Sequence, residues 1–125
     1  MVSVPILKHG AVLIATVQAA LSDEDLATLR DELLRAVGSH RSHGVVLDVT
    51  AVDVLDSFAA RMLRTISQAV RMRGASTVLV GIQPGVALAM VQLGLRLDDV
   101  ETALDLEDGL AHLAQATARR EGSGL

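Results

Sequence analysis

The sequence contains no cysteine, no tryptophan and no tyrosine, and it has a single phenylalanine, Phe58. Without cysteine the chain has no disulfide, no thiolate metal site and no cysteine nucleophile. Without large aromatic rings the core must be filled by aliphatic side chains, and half of the residues are hydrophobic. A composition dominated by alanine, leucine and valine is typical of helices packed against a buried sheet.

Basic residues and long hydrophobic runs are also scarce. The chain has eleven lysines and arginines and fifteen aspartates and glutamates, which gives a net charge of −4. An acidic domain gains nothing from counterion release, so we predict no nucleic-acid partner. No apolar run approaches the roughly 18 residues of a membrane span, and the first residues lack the regions of a signal peptide. We therefore predict a cytoplasmic protein with no membrane partner.

Hydrophobic periodicity predicts strands that alternate with helices in the order β-β-α-β-α-β-α-β-α. The predicted strands cover residues 5–8, 11–17, 44–49, 77–82 and 100–103, and the predicted helices cover 22–38, 57–73, 84–94 and 106–119. This order predicts an α/β fold with a mixed, mostly parallel sheet of four to five strands, an antiparallel N-terminal strand and about four flanking helices. We expect one domain over residues 1–119 and a disordered tail over 120–125.

Several residues mark where the helices begin and end. Ser22 and Asp25 have the spacing of a capping box before the first helix, and Pro84 suits the first position of the third. Glycine commonly follows the last turn of a helix, so helix ends are predicted at the residues Gly38, Gly74 and Gly94.

Acidic residues and one serine follow the buried strand at 44–49. Ser57 opens the next helix, and from the residues alone the favoured interpretation is that it shares the helix cap with Asp56. Asp48 and Asp53 are most simply strand-end and loop carboxylates. Together with Asp56 they are similar to the acidic pocket of a response regulator. That pocket also requires a lysine later in the chain, whereas the only lysine here is Lys8, which precedes all three acids.

Other chemistries find no support. The histidines lie at positions 9, 40, 43 and 112, and no pair has the spacing of metal ligands on a helix. Ser57 is not in a Gly-x-Ser-x-Gly motif, and the glycines form no phosphate-binding pattern. No catalytic residue, metal or cofactor is predicted.

The arginines after Ser57 are most simply a solvated helix face, with an interface to acidic neighbours as the lesser interpretation.

An ordered set of segments covers nearly the whole chain. Its segments are Val4-Pro5-Ile6-Leu7-Lys8, Gly44-Val45-Val46-Leu47-Asp48, Asp53, Asp56-Ser57-Phe58, Gly81-Ile82-Gln83-Pro84, Gln92-Leu93-Gly94 and Glu101-Thr102-Ala103-Leu104-Asp105-Leu106-Glu107. In this order the segments resemble the STAS domain of anti-sigma-factor antagonists, and within that family the stressosome scaffolds of the RsbS type.

The resemblance implies a non-enzymatic protein that acts through partners. Such proteins assemble with STAS co-antagonists of the RsbR type and hold a serine/threonine switch kinase of the RsbT type. The kinase phosphorylates the serine that matches Ser57 and is released, and a PP2C-like phosphatase resets the switch. The STAS domain is expected to form a homodimer. Co-antagonists carry a second phosphorylatable threonine in the helix that here spans 84–94, which contains neither serine nor threonine.

A phosphate on Ser57 would add negative charge beside Asp53 and Asp56. A partner held there by close contact with Asp53, Asp56 and Phe58 would lose affinity, without any refolding. Two alternatives stay open at this point: a free anti-sigma-factor antagonist that binds its kinase as a lone subunit, and a small-ligand-binding α/β domain that uses the acids around Asp48.

Overall fold

The computed structural model describes residues 4–18, 21–95 and 100–123. Within these ranges it contains five strands and four helices in the predicted order. The strands are β1 (Ile6–His9), β2 (Val12–Thr16), β3 (Gly44–Asp48), β4 (Ser76–Val80) and β5 (Glu101–Ala103). The helices are α1 (Asp23–His40), α2 (Ser57–Met72), α3 (Pro84–Gln92) and α4 (Leu106–Ser123).

The strands form one sheet in the order β1-β2-β3-β4-β5. The β1 and β2 strands are antiparallel, with His9 opposite Val12 across a two-residue turn, whereas each later strand is parallel to the one before it. Helices connect the parallel strands, as their crossovers require. The predicted mixed sheet with an antiparallel first strand is confirmed.

Two hydrophobic layers lie on opposite faces of the sheet, because successive residues of a strand point to opposite sides. The larger layer packs α1, α2 and α3 onto one face. The smaller layer packs Leu113 of α4 onto Val46, Val78 and Val80 on the other face. At Gly109 a Cβ atom would lie 2.7 Å from a methyl group of Val80, so the absence of a side chain there allows α4 to approach the sheet.

The helix starts follow the sequence signals closely. Ser22 accepts a hydrogen bond from the Asp25 backbone N–H, and Asp25 accepts one from the Ser22 N–H, which confirms the capping box. Pro84 is the first residue of α3, as predicted. Gly74 and Gly94 follow α2 and α3 with positive φ angles.

Two predicted helix ends are wrong. The α1 helix continues past Gly38 to His40, and Arg41 adopts the left-handed C-cap conformation with φ 49°. A glycine costs a helix only about 1 kcal/mol, so Gly38 does not force an end. The α4 helix likewise continues to Ser123 instead of ending near Arg119, and places residues 120–123 of the expected tail in the helix. Residues 124 and 125 lie outside the described ranges.

Candidate functional site

The candidate site lies at the carboxyl edge of the parallel strands, in the loop 49–56 between β3 and α2. Asp48 ends β3, and its carboxylate accepts hydrogen bonds from the backbone N–H of Thr50 at 3.0 Å and from the Thr50 hydroxyl at 2.6 Å. The backbone N–H of Val49 donates to the carbonyl of Val80 on β4. Asp48 therefore shapes the first turn of the loop, in agreement with its interpretation as a strand-end carboxylate.

The turn between β4 and α3 contacts the same loop and stabilises it. The Gln83 side-chain amide donates to the Thr50 carbonyl at 2.8 Å. Gly81 has φ +76°, and a Cβ atom there would lie 2.0 Å from the Thr50 hydroxyl oxygen. Only glycine readily adopts this positive φ angle and leaves room for the Thr50 hydroxyl. The Gly81–Pro84 segment is thus a support for the loop that leads to Ser57, a role that the sequence did not reveal.

At the start of α2, the residue that caps the helix is not the serine. Asp56 is the N-cap, and its Oδ1 atom accepts a hydrogen bond from the Ala59 backbone N–H at 2.8 Å. Ser57 is the first helical residue and is exposed. Its hydroxyl makes no hydrogen bond to any described residue. Asp56 alone supplies the side-chain cap, so the expectation that Ser57 shares it is wrong.

Apolar side chains flank the serine on both sides. Phe58 is half-buried and packs against the larger core, so only part of its ring faces outward. Val54, three residues before Ser57, is 77% exposed. Val54 carries no signal in the sequence, because an isolated valine in a loop has no periodicity that would reveal its exposure. Val54 is therefore the exposed large apolar side chain that lies nearest to Ser57 along the chain.

The acidic residues of the loop do not converge on one ligand site. Asp48 is bonded to Thr50 and Asp56 caps α2, whereas Asp53 is exposed. Across the described ranges, no group of three or more His, Asp or Glu side chains is arranged to hold a metal ion. A mostly apolar cavity of about 210 Å³ lies beneath the start of α2, with Leu55 and Ala59 in its wall. The loop acids thus shape the backbone and charge the surface.

Basic residues on α2 follow the serine on the exposed helix face. Arg61 and Arg64 come four and seven residues after Ser57, and both are exposed. The surface around the serine therefore has carboxylates on its loop side and guanidinium groups along the helix.

None of the helices in the described ranges is long and apolar enough to cross a membrane.

The family model described as the STAS domain matches residues 3–109. Among characterised proteins, the chain is similar to the RsbT co-antagonist protein RsbRA of Bacillus subtilis (strain 168), with 35% identity over 100 residues. That match covers 80% of this chain and 36% of RsbRA, so the chain spans about a third of that relative.

Two solved structures resemble the whole fold. RsbS from Moorella thermoacetica, in a serine-to-glutamate variant, matches with a TM-score of 0.83 and 34% identity, over 92% of this chain and 97% of that chain. A chain of the stressosome, which is described as a signal integration and transduction hub, matches with a TM-score of 0.80 and 34% identity, over 90% of this chain and 98% of that one. The chain therefore belongs to the STAS domain family and is a relative of the stressosome-type antagonists RsbR and RsbS.

Proposed function

We propose that this chain is a non-enzymatic stressosome scaffold that sequesters a serine/threonine switch kinase and releases it when Ser57 is phosphorylated. The observation that carries the proposal is the exposed hydroxyl of Ser57, which makes no hydrogen bond to the described residues and stands after a cap that Asp56 supplies. A serine that the fold does not need as a cap is available for modification without loss of the helix. The similarity to RsbS over nearly its whole chain supports the same role.

The chemistry of the surface supports an electrostatic release. A phosphoserine adds a charge of about −1.5 to −2 at neutral pH. That charge would be added to the start of α2, directly after Asp56 and a few residues after the exposed residues Asp53 and Val54. A kinase in close contact with Val54 and the outer edge of Phe58 would have to desolvate the phosphate to stay bound, which is costly. Local charge is enough to release it, and no refolding of the domain is required.

The proposed role involves further partners and a location in the cell. The kinase is of the RsbT type, the co-antagonists in the assembly are of the RsbR type, and a PP2C-like phosphatase removes the phosphate. The STAS domain forms a homodimer within the assembly, and the protein acts in the cytoplasm. Asp53, Asp56 and Phe58 belong to the kinase contact together with Val54, while Asp56 also keeps its capping role.

Kinase capture tests the release directly. The wild type, Ser57→Ala and Ser39→Ala are immobilised with their co-antagonist and loaded with the cognate kinase, and ATP with Mg²⁺ is then added. Ser39 is an exposed serine on α1 and serves as the matched control. We expect the wild type and Ser39→Ala to release the kinase and Ser57→Ala to retain it. Equal release from Ser57→Ala and the wild type would contradict the proposal.

The size of the complex separates a stressosome scaffold from a free antagonist. Mixing the chain with its RsbR-type co-antagonist should give a very large assembly in size-exclusion chromatography with light scattering. A particle that stays a monomer or dimer, and still captures the kinase, would identify a free anti-sigma-factor antagonist instead.

A further inference from the structure

An arginine stands one helical turn after Ser57 on the same face of α2. Ser57 and Arg61 are separated by four residues, and both are exposed. Side chains at this spacing are neighbours on a helix, with Cβ atoms about 5–6 Å apart. Because helical side chains lean toward the N-terminus, the Arg61 side chain is directed back toward the first turn. A negative charge placed N-terminal to a positive one is the favourable order for such a pair.

Arg61 has no anionic neighbour along its own helix before any modification. The four positions three and four residues away hold uncharged or basic side chains, namely Ser57, Phe58, Arg64 and Thr65. Within the described residues Arg61 makes no ion pair, whereas Arg64 already has an interaction of its own. The guanidinium of Arg61 is thus available to a new anion at Ser57.

We infer that Arg61 is the positioning residue for the phosphoserine: its guanidinium binds the phosphate on Ser57 and holds it against α2. This inference rests on the proposed function, because it concerns the modified form of the same serine. Guanidinium groups recognise phosphate oxygens through paired N–H donors. The Arg61 charge offsets the repulsion from Asp53 and Asp56, so the first turn of α2 stays helical and the phosphate keeps a fixed place on the surface.

The ionisation of the phosphate reports this contact. A phosphoserine loses its second proton with a pKa near 6, and a bound guanidinium favours the dianion and lowers that pKa. Phosphoserine is inserted at position 57 during translation, so the sample does not depend on any kinase. The ³¹P NMR shift is then followed against pH in the phosphorylated wild type, Arg61→Gln and Arg71→Gln.

Arg71 is the matched control because it is an exposed arginine of the same helix fourteen residues after Ser57, about 21 Å away along the axis. That distance exceeds the Debye length of about 10 Å at 0.1 M salt. We expect Arg61→Gln to raise the titration midpoint by about 0.2 to 0.4 pH unit and Arg71→Gln to leave it unchanged. Circular dichroism verifies that each variant is folded.

Two results would overturn the inference. Equal midpoints in the wild type and Arg61→Gln would show that the guanidinium does not bind the phosphate. Equal rises in both variants would assign the effect to the general charge of α2 instead of a contact. If the kinase fails to phosphorylate Ser57, the proposed function falls, and the titration of the inserted phosphoserine still decides whether Arg61 binds it.

Discussion

Replacing Asp56 and Ser57 one at a time separates the structural role of the helix start from its proposed role as a switch. Asp56→Ala removes the acceptor of the Ala59 N–H, and loss of such a cap lowers the free energy of unfolding by about 1 kcal/mol, within a range of 0.5–2. Ser57→Ala removes a hydroxyl with no hydrogen bond to the described residues and introduces the best helix former. We expect its effect to stay within about 0.5 kcal/mol.

Urea unfolding followed by circular dichroism at 222 nm measures both effects, since the chain has neither tryptophan nor tyrosine as a fluorescent probe. With a slope of about 2 kcal/mol per molar urea, a loss of 1 kcal/mol lowers the midpoint by about 0.5 M. Asp56→Asn is the matched control, because asparagine caps as well as aspartate and should unfold close to the wild type.

A urea midpoint of Ser57→Ala as low as that of Asp56→Ala would refute this division of roles. That result would mean that the serine hydroxyl caps the helix in solution, and the observation that carries the proposed function would be lost. If Asp56→Ala kept the urea midpoint of the wild type, the hydrogen bond from the Ala59 N–H to Asp56 would contribute nothing to the free energy of unfolding.

Two further substitutions test the packing by the same unfolding assay. Gly81→Ala places a side chain at a positive φ angle and against Thr50, which should lower the free energy of unfolding by about 2 kcal/mol or more; a change below about 0.5 kcal/mol would refute the supporting role of Gly81. Thr77→Val replaces a buried hydroxyl that has no hydrogen-bond partner in the described residues. Because valine keeps the shape and avoids the unpaired hydroxyl, it should stabilise the chain by about 1 kcal/mol, and destabilisation would mean that the hydroxyl is bonded in solution.

Local signals explain why so much of the fold was predictable. The capping box of Ser22 and Asp25 and the proline at the start of α3 act within one turn, so the sequence alone reveals them. The central strand 44–48 is buried on both faces and contains a continuous apolar run. The end of α1 was missed because a glycine such as Gly38 permits a helix end without imposing one.

The details of the site depend on contacts that sequence spacing does not reveal. Asp56 and Ser57 are both good capping residues, so adjacent positions gave no basis for assigning the cap to Asp56 alone. The support of Thr50 by Gly81 joins two loops some thirty residues apart in the chain. The exposure of Val54 likewise follows from the path of the loop and not from its residue type.

Intact-mass analysis after incubation with the cognate kinase, ATP and Mg²⁺ tests whether Ser57 is the phosphorylation site. We expect one phosphoryl group on the wild type and on Ser39→Ala, and none on Ser57→Ala. An unmodified wild type, with a kinase that is shown to be active on another substrate, would contradict the role of Ser57 as the switch, as would a phosphoryl group that persists on Ser57→Ala.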